Sequence, residues 1–298
     1  MNIITDPMPP AVAPDVDLAI ATPLTESEHS LHWALLRTMR YDVGLALAAP
    51  AVYGSVAGWW ASGSFSWITF SFFIVGIVTA VFAYQALAAV ADNENRLAVD
   101  AKPATDLPDS PFTLIADGAL PPTMLASIGY LLATLSALCM AWLGLLVGWP
   151  VFFFAGLGAL LIGATLLSPV ALAKRGLGEV AVAISFGILP LLAGFYVQAQ
   201  SLSWMPLAGG LPLACFAFLV LLDGALSTWR RDWLIRKRTL PVILGPARAL
   251  DLSVVVTMAA YISILLTAVL ARLPLWTLAG LATLPLAMGA FADIRARM

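Results

Sequence analysis

Long apolar runs, joined by connections that are alternately charged and nearly uncharged, constrain this chain more than any other feature. Arg37, Arg40, Arg96, Lys102, Lys174, Arg175, Arg230, Arg231, Arg236, Lys237, Arg238, Arg248, Arg295 and Arg297 fall in the N-terminal arm, every second connection or the C-terminal tail. Only Arg272 falls in an intervening connection. Loops rich in Lys and Arg stay in the cytoplasm, so the pattern reports a topology and the face at which polar chemistry takes place. The 298 residues are 61% hydrophobic and 11% charged, against about 25% charged in a soluble domain. That composition specifies an integral membrane protein, and the length suits one membrane domain. The formal net charge of -2 says little about partners; no nucleic-acid partner is expected.

A spanning helix needs about 20 mostly apolar residues. Eight stretches qualify: 42–61, 66–90, 122–147, 150–173, 176–198, 204–222, 250–271 and 274–292. Lipid offers no partner to free backbone groups, so each is read as a helix. The expected fold is an all-α polytopic bundle with a central cavity open to the cytoplasmic side. The connections 62–65, 148–149, 199–203 and 272–273 are very short and lie outside. Trp59, Trp60, Trp67, Trp149 and Trp204 cluster beside them, as an interfacial aromatic belt does. An even number of spans places both termini in the cytoplasm of an inner-membrane protein. Gly156, Gly158 and Gly163 suit close packing of one helix against a neighbour.

Residues 1–41 read as a flexible cytoplasmic arm preceding a membrane domain over 42–298. The arm holds Asp6, Asp15, Asp17, Glu26 and Glu28 among several prolines, with no secretory signal. A short helix is expected near Glu26 to Arg40, where His29 and His32 are solvated. Cys139 and Cys215 lie in separate apolar runs and read as small core residues.

Two cytoplasmic connections are long, 91–121 and 223–249, and both open with carboxylates. The first begins Ala91-Asp92-Asn93-Glu94-Asn95-Arg96 and continues to Asp100, Asp106, Asp109 and Asp117. The second begins Asp223-Gly224 and contains Trp229-Arg230-Arg231-Asp232 and Arg236-Lys237-Arg238-Thr239. Equivalent loops in two halves of a bundle converge on a shared cavity. Paired carboxylates at a helix mouth suit Mg2+, which takes one or two of them together with substrate phosphate. Neighbouring Lys and Arg suit the remaining phosphate oxygens. Acids, then cations, then an apolar interior fit a lipid diphosphate. They also fit two ordinary solvated loops, and from the residues alone both readings stand.

Longer motifs add a resemblance. The segment from Lys174-Arg175-Gly176-Leu177-Gly178-Glu179 through Phe186-Gly187-Ile188-Leu189-Pro190 to Gly194-Phe195-Tyr196-Val197-Gln198 resembles the UbiA superfamily of intramembrane prenyltransferases. It is most similar to the menaquinone branch, the 1,4-dihydroxy-2-naphthoate prenyltransferases. Lys237-Arg238-Thr239-Leu240-Pro241-Val242-Ile243-Leu244-Gly245 resembles the family's Gly-Lys-Arg-Thr-Leu-x-Val-x-Leu-Gly, and Asp117 to Pro122 is similar to its Gly-x-Ile-Ser-Pro. The resemblance covers roughly residues 35–292. It implies a Mg2+-dependent enzyme that moves an isoprenoid chain from a prenyl diphosphate to a lipid-soluble aromatic acceptor, among membrane lipids.

In that family two aspartate-rich motifs hold Mg2+ and the diphosphate. Asn-Asp-x-x-Asp falls on Ala91, Asp92 and Asn95, so one Asp is kept. Asn-x-x-x-Asp-x-x-x-Asp falls on Gly224, Thr228 and Asp232, so again only one Asp matches. Arg236 stands where the family has Gly. The resemblance thus implies Asp92 and Asp232 as catalytic residues and Asp92, Glu94, Asp100, Asp223 and Asp232 as metal ligands. It implies Asn95, Lys174, Arg175, Glu179, Lys237 and Arg238 as diphosphate- or substrate-binding residues. Simpler roles stay open for several. A carboxylate at Glu179 is favoured by the helix N-terminus alone, and Lys174 and Arg175 serve equally as headgroup anchors. Tyr84 and Gln85 share a helical stripe with Ala88 and Asp92, facing either a cavity or a neighbouring helix. Tyr196 reads as an interfacial aromatic. The motif departures also leave open a catalytically silent relative, binding an isoprenoid or quinone within a membrane complex with a partner subunit, and a membrane terpene cyclase.

Overall fold

The computed structural model describes residues 40–98, 115, 120–167, 171–203, 205–270 and 281–297. Ten helices carry these residues: α1 (Tyr41–Ser62), α2 (Trp67–Ala98), α3 (Pro122–Val147), α4 (Pro150–Leu166), α5 (Gly178–Ala199), α6 (Met205–Ser227), α7 (Trp229–Leu234), α8 (Leu240–Leu244), α9 (Pro246–Leu270) and α10 (Leu284–Arg297). Among the described residues there is no strand. The expected arm helix with His29 and His32 lies outside them, as does Trp204.

Among the described residues six helices, α1, α2, α3, α5, α6 and α9, are long and apolar enough to cross a membrane. Three of the boundary differences from expectation have a direct physical reading. First, α4 stops at Leu166 after 17 residues, where Leu167 turns extended at ψ 136, instead of running to 173. Residues Leu172–Lys174 then form a separate 3-10 turn. Second, α9 starts at Pro246 and not at 250; proline is well suited to the first helical position, and Gly245 at φ 83 precedes it. Third, α2 runs 32 residues to Ala98. Such a helix is about 48 Å long, against about 30 Å of hydrocarbon. The segment from Asp92 to Arg96 is therefore the emergent end of a helix, not the start of a loop. Likewise Asp223 lies within α6. Of the last expected span, 274–292, residues 284–292 belong to α10, which is tied back where Tyr261 Oη and Thr283 Oγ1 lie 2.6 Å apart.

Most of the core comes from four helices, with Val151 of α4 and Ala217 of α6 added. Leu47, Phe73, Val81, Leu143, Val182, Phe186 and Val197 bury together from α1, α2, α3 and α5. Close backbone approach makes this possible. A Cβ on Gly54 would lie 2.1 Å from the Leu191 carbonyl oxygen, and one on Gly194 would lie 2.7 Å from that of Ala51. Small residues at such crossings replace a hydrophobic drive that lipid does not supply. The glycines expected to do this in α4 do not: nothing lies within 4 Å of a Cβ built on Gly156. Between α2 and α3, Ser136 Oγ donates to the Gly76 carbonyl at 2.7 Å. Leu131, Leu138 and Leu145, seven residues apart, form an exposed stripe on α3, as a lipid-facing side requires.

The end bearing the short connections is aromatic. Trp59, Trp60, Trp67 and Trp149 are exposed there, matching the expected belt. Gln198 clasps this end: Ser66 N–H donates to its Oε1 at 2.9 Å and its Nε2 donates to the Ser66 carbonyl at 3.1 Å. Tyr196 corrects expectation, because it is buried and its Oη donates to the Val147 carbonyl. It ties α5 to α3. Within α5 the helix widens to a π turn over Ile184–Ile188. The widening falls just before Pro190, which lacks the N–H that would bond to Phe186.

Candidate active site

At the charged end the start of α1, the end of α2, the start of α5, the end of α6 and the α7–α8 connection surround one cavity of about 410 Å³. Its lower wall is apolar, with Val43 and Leu47 from α1, Val182 from α5 and Val220 and Leu221 from α6. Tyr84 joins it from α2, its ring 6.0 Å from that of Phe186. Its rim is charged, with Arg40, Asp92, Glu179, Arg231, Asp232 and Lys237.

Local chain geometry delivers these side chains. Helix α7 ends in a pair of bonds in which Arg236 N–H donates to the Trp233 carbonyl at 3.1 Å and Lys237 N–H to that of Asp232 at 2.8 Å. These are the two bonds of a Schellman terminus, which places its C′ residue in the left-handed region. That residue is Arg236, at φ 56. The position explains why a glycine suits the motif here. The reversal brings Lys237 back over the cavity, where its Nζ donates to Asp92 Oδ2 at 2.9 Å and lies 2.8 Å from Oδ1.

Asp232, 1% exposed, is held on two sides. Arg231 Nη2 donates to its Oδ1 at 2.9 Å, and Thr228 Oγ1 donates to its Oδ2 at 3.3 Å. The same Arg231 Nη2 lies 3.5 Å from Asp92 Oδ2. One guanidinium nitrogen therefore joins the two motif aspartates across the cavity. Burial works to lower the Lys237 pKa, but the carboxylates of Asp92 and Asp232 outweigh it and hold the ammonium above the ordinary lysine range.

Glu179 reaches the rim through a tight turn. Gly176 takes φ 75, and a Cβ there would lie 2.2 Å from Ile243 Cδ1. Glu179 Oε1 then accepts from Leu240 N–H at 3.1 Å. Its carboxylate caps α8 and joins the first motif segment to the Lys-Arg-Thr-Leu segment.

Asp92, Glu179, Asp232 and Lys237 are thus brought together as expected. Other expected residues are not. Glu94 is exposed and lies about 200° around α2 from Asp92. Asn95 sits one turn beyond Asp92 toward the end of α2 and does not line the cavity. Lys174, Arg175 and Arg238 are exposed and outside the lining. Asp223 is turned away by one residue of helical phase: Gly224 faces the cavity, whereas Asp223 Oδ1 accepts from Ser253 Oγ of α9 at 2.8 Å. Asp100 lies outside the described residues. Conversely, Arg40, Thr228, Arg231 and Thr239, to which no site role was assigned from the sequence, all line the cavity. The spacing Gly224, Thr228, Arg231 was a signal, being one helical stripe at i, i+4, i+7. Gln85 joins Tyr84 on the cavity side of α2.

Among the described residues no three His, Cys, Asp or Glu side chains are placed to hold a metal by themselves. Asp92 and Asp232 are the carboxylate pair that fits a hard cation, in the number Mg2+ takes when a phosphate completes its shell.

A model of the UbiA prenyltransferase family matches residues 44–297. A 1,4-dihydroxy-2-naphthoate octaprenyltransferase of Mycobacterium leprae (strain TN) is 32% identical over 121 residues. The match takes in 41% of this chain and 40% of that enzyme, so it spans less than half the length of this curated relative. A solved structure of a UbiA homolog from Archaeoglobus fulgidus, bound to GPP and Mg2+, superposes with a TM-score of 0.59. It covers 88% of this chain and 85% of that chain at 14% identity, which is a likeness of fold.

Proposed function

Because the chain belongs to the UbiA prenyltransferase family, we propose that it transfers an isoprenoid chain from a prenyl diphosphate to an aromatic, quinone-precursor-like acceptor. The observation that carries this reading is the cavity itself. Two motif aspartates, Lys237 and Arg231 crown a pocket with apolar walls. Its volume falls within the roughly 300–1,000 Å³ of small-molecule sites. The charged end faces the cytoplasm of the inner membrane, by the distribution of Lys and Arg.

Lys237 and Arg231 bind diphosphate oxygens by charge-assisted hydrogen bonds. The apolar wall takes the isoprenoid tail and excludes water from the reacting carbon. Asp92 and Asp232 would hold Mg2+, which when bound would neutralise charge developing on the departing diphosphate. The allylic C–O bond breaks with its electron pair leaving on the diphosphate. A ring carbon of the acceptor then forms the new C–C bond and releases its proton. Tyr84, which lines the wall, presents an aromatic face that favours a nearby cation.

Purified protein with Mg2+, geranyl or farnesyl diphosphate and a dihydroxynaphthoate-type acceptor should release pyrophosphate and form prenylated product. No release over a range of chain lengths and acceptors overturns the proposal. Asp92→Asn and Asp232→Asn should each abolish Mg2+-dependent diphosphate binding; unchanged binding in both removes them from the site.

A further inference from the structure

Buried polar atoms are nearly always hydrogen-bonded. Among the described residues five buried side-chain atoms have no partner: Gln85 Oε1 and Nε2, Glu179 Oε2, Thr239 Oγ1 and Thr257 Oγ1. Four of the five belong to residues that line the cavity. Glu179 is 8% exposed and Thr239 4%, so bulk water does not satisfy them.

These atoms share the cavity with the charged cluster but take no part in its pairing. Asp92, Asp232, Arg231 and Lys237 are satisfied among themselves. Glu179 Oε1 is bound to Leu240 N–H, which leaves Oε2 without a partner. Gln85 lies seven residues before Asp92 on α2, about 10 Å deeper along the helix axis. The cavity therefore carries a charged, internally paired set of side chains and a second, polar set without partners.

From this we infer that Gln85, Glu179 and Thr239 form the polar end of a separate subsite for the aromatic acceptor, and that Glu179 selects a ring bearing a free hydroxyl. This rests on reading the cavity as a prenyl-transfer site. Glu179 Oε2 has no donor from the protein, and a ligand hydroxyl supplies one. Thr239 Oγ1 both donates and accepts, and the Gln85 amide accommodates one further oxygen substituent deeper in the cavity. A site built to bond a hydroxyl rejects the analogue that lacks one far more strongly than an apolar pocket does.

Glu179→Gln is the informative variant. Its amide oxygen still caps Leu240 N–H, while Oε2 becomes an NH2 donor. In the full-length protein in lipid nanodiscs, the Kd for inorganic pyrophosphate should stay within about twofold, because the charged cluster is intact. The KM for a hydroxylated naphthalene acceptor should rise about tenfold or more, the loss of one charge-assisted bond. The preference for that acceptor over its O-methyl ether should collapse, because the new NH2 donates to an ether oxygen. A purely structural role for Glu179 would not move that ratio. Gln85→Leu should raise the acceptor KM without changing pyrophosphate binding. An unchanged hydroxyl-to-ether ratio in Glu179→Gln, or equal weakening of pyrophosphate and acceptor, overturns the inference. Wild-type protein that binds neither pyrophosphate nor prenyl diphosphate would instead overturn the proposed function.

Discussion

Replacing Lys237 with methionine tests the arrangement at its most connected residue. The ammonium is within 2.9 Å of both oxygens of Asp92. At 2.8 Å and an effective dielectric of about 20 the gross attraction is about 6 kcal/mol. Desolvation removes much of that, and the net of a hydrogen bond to a charged group is about 1.5–3 kcal/mol. If Lys237 passes that bond to a diphosphate oxygen on binding, its loss weakens pyrophosphate binding about 10- to 150-fold, at 1.4 kcal/mol per tenfold. Calorimetric titration of inorganic pyrophosphate with Mg2+ reads this directly, and Lys237→Arg should restore most of the affinity. The wild type also carries a pH signature. The folded Lys237 pKa lies above its ordinary value, so its contribution is complete below about pH 10.4 and fades only as pH rises through the folded value. Affinity should therefore show no loss with a midpoint between pH 8 and pH 10. A change under threefold in Lys237→Met, or such a midpoint in the wild type, refutes the reasoning.

Two further predictions concern the scaffold. Arg236→Gly removes a left-handed cost of roughly 1–2 kcal/mol against about 0.5–1 kcal/mol of added chain entropy, so the melting temperature in detergent should hold or rise, and a fall of several degrees contradicts the Schellman geometry. Gly54→Val should destabilise by at least about 1–3 kcal/mol through overpacking on the Leu191 carbonyl, whereas Gly156→Ala, with open space around it, should leave the melting temperature unchanged; equal effects refute the α1–α5 crossing.

Apolar run length and the alternation of charge made the helical class legible, because lipid leaves the backbone no other solution. Asp92, Glu179, Asp232 and Lys237 were legible because each sits in a motif whose neighbours shape it: Gly176 before Glu179, and the helix terminus before Lys237. What was not legible depends on helical phase and on where helices stop. Asp223 and Gly224 are adjacent in sequence and about 100° apart on α6, and only the latter faces the cavity. The extension of α2 to Ala98 turned an expected loop into a helix end and carried Glu94 to its outer side. The glycines of α4 looked like packing residues on composition alone. The contacts fell instead on Gly54 and Gly194, because close approach depends on a partner backbone that no single segment reveals.

The motif departures fall where the structure supplies substitutes of a different kind. Thr228, at a position where the family pattern has a second aspartate, donates to Asp232 instead of repelling it. Each surviving aspartate is matched by a cation, Lys237 for Asp92 and Arg231 for Asp232. Closely placed carboxylates without cations would repel, and one would be driven toward protonation. With Lys237 and Arg231 in place, each carboxylate has a cationic partner in the ligand-free protein. Under the proposed function, diphosphate binding would be an exchange of partners: the cations would turn to phosphate oxygens and the carboxylates would be released toward a divalent ion. Affinity in such a site is the difference between two well-satisfied states, so it responds to Lys237 and Arg231 as strongly as to the aspartates.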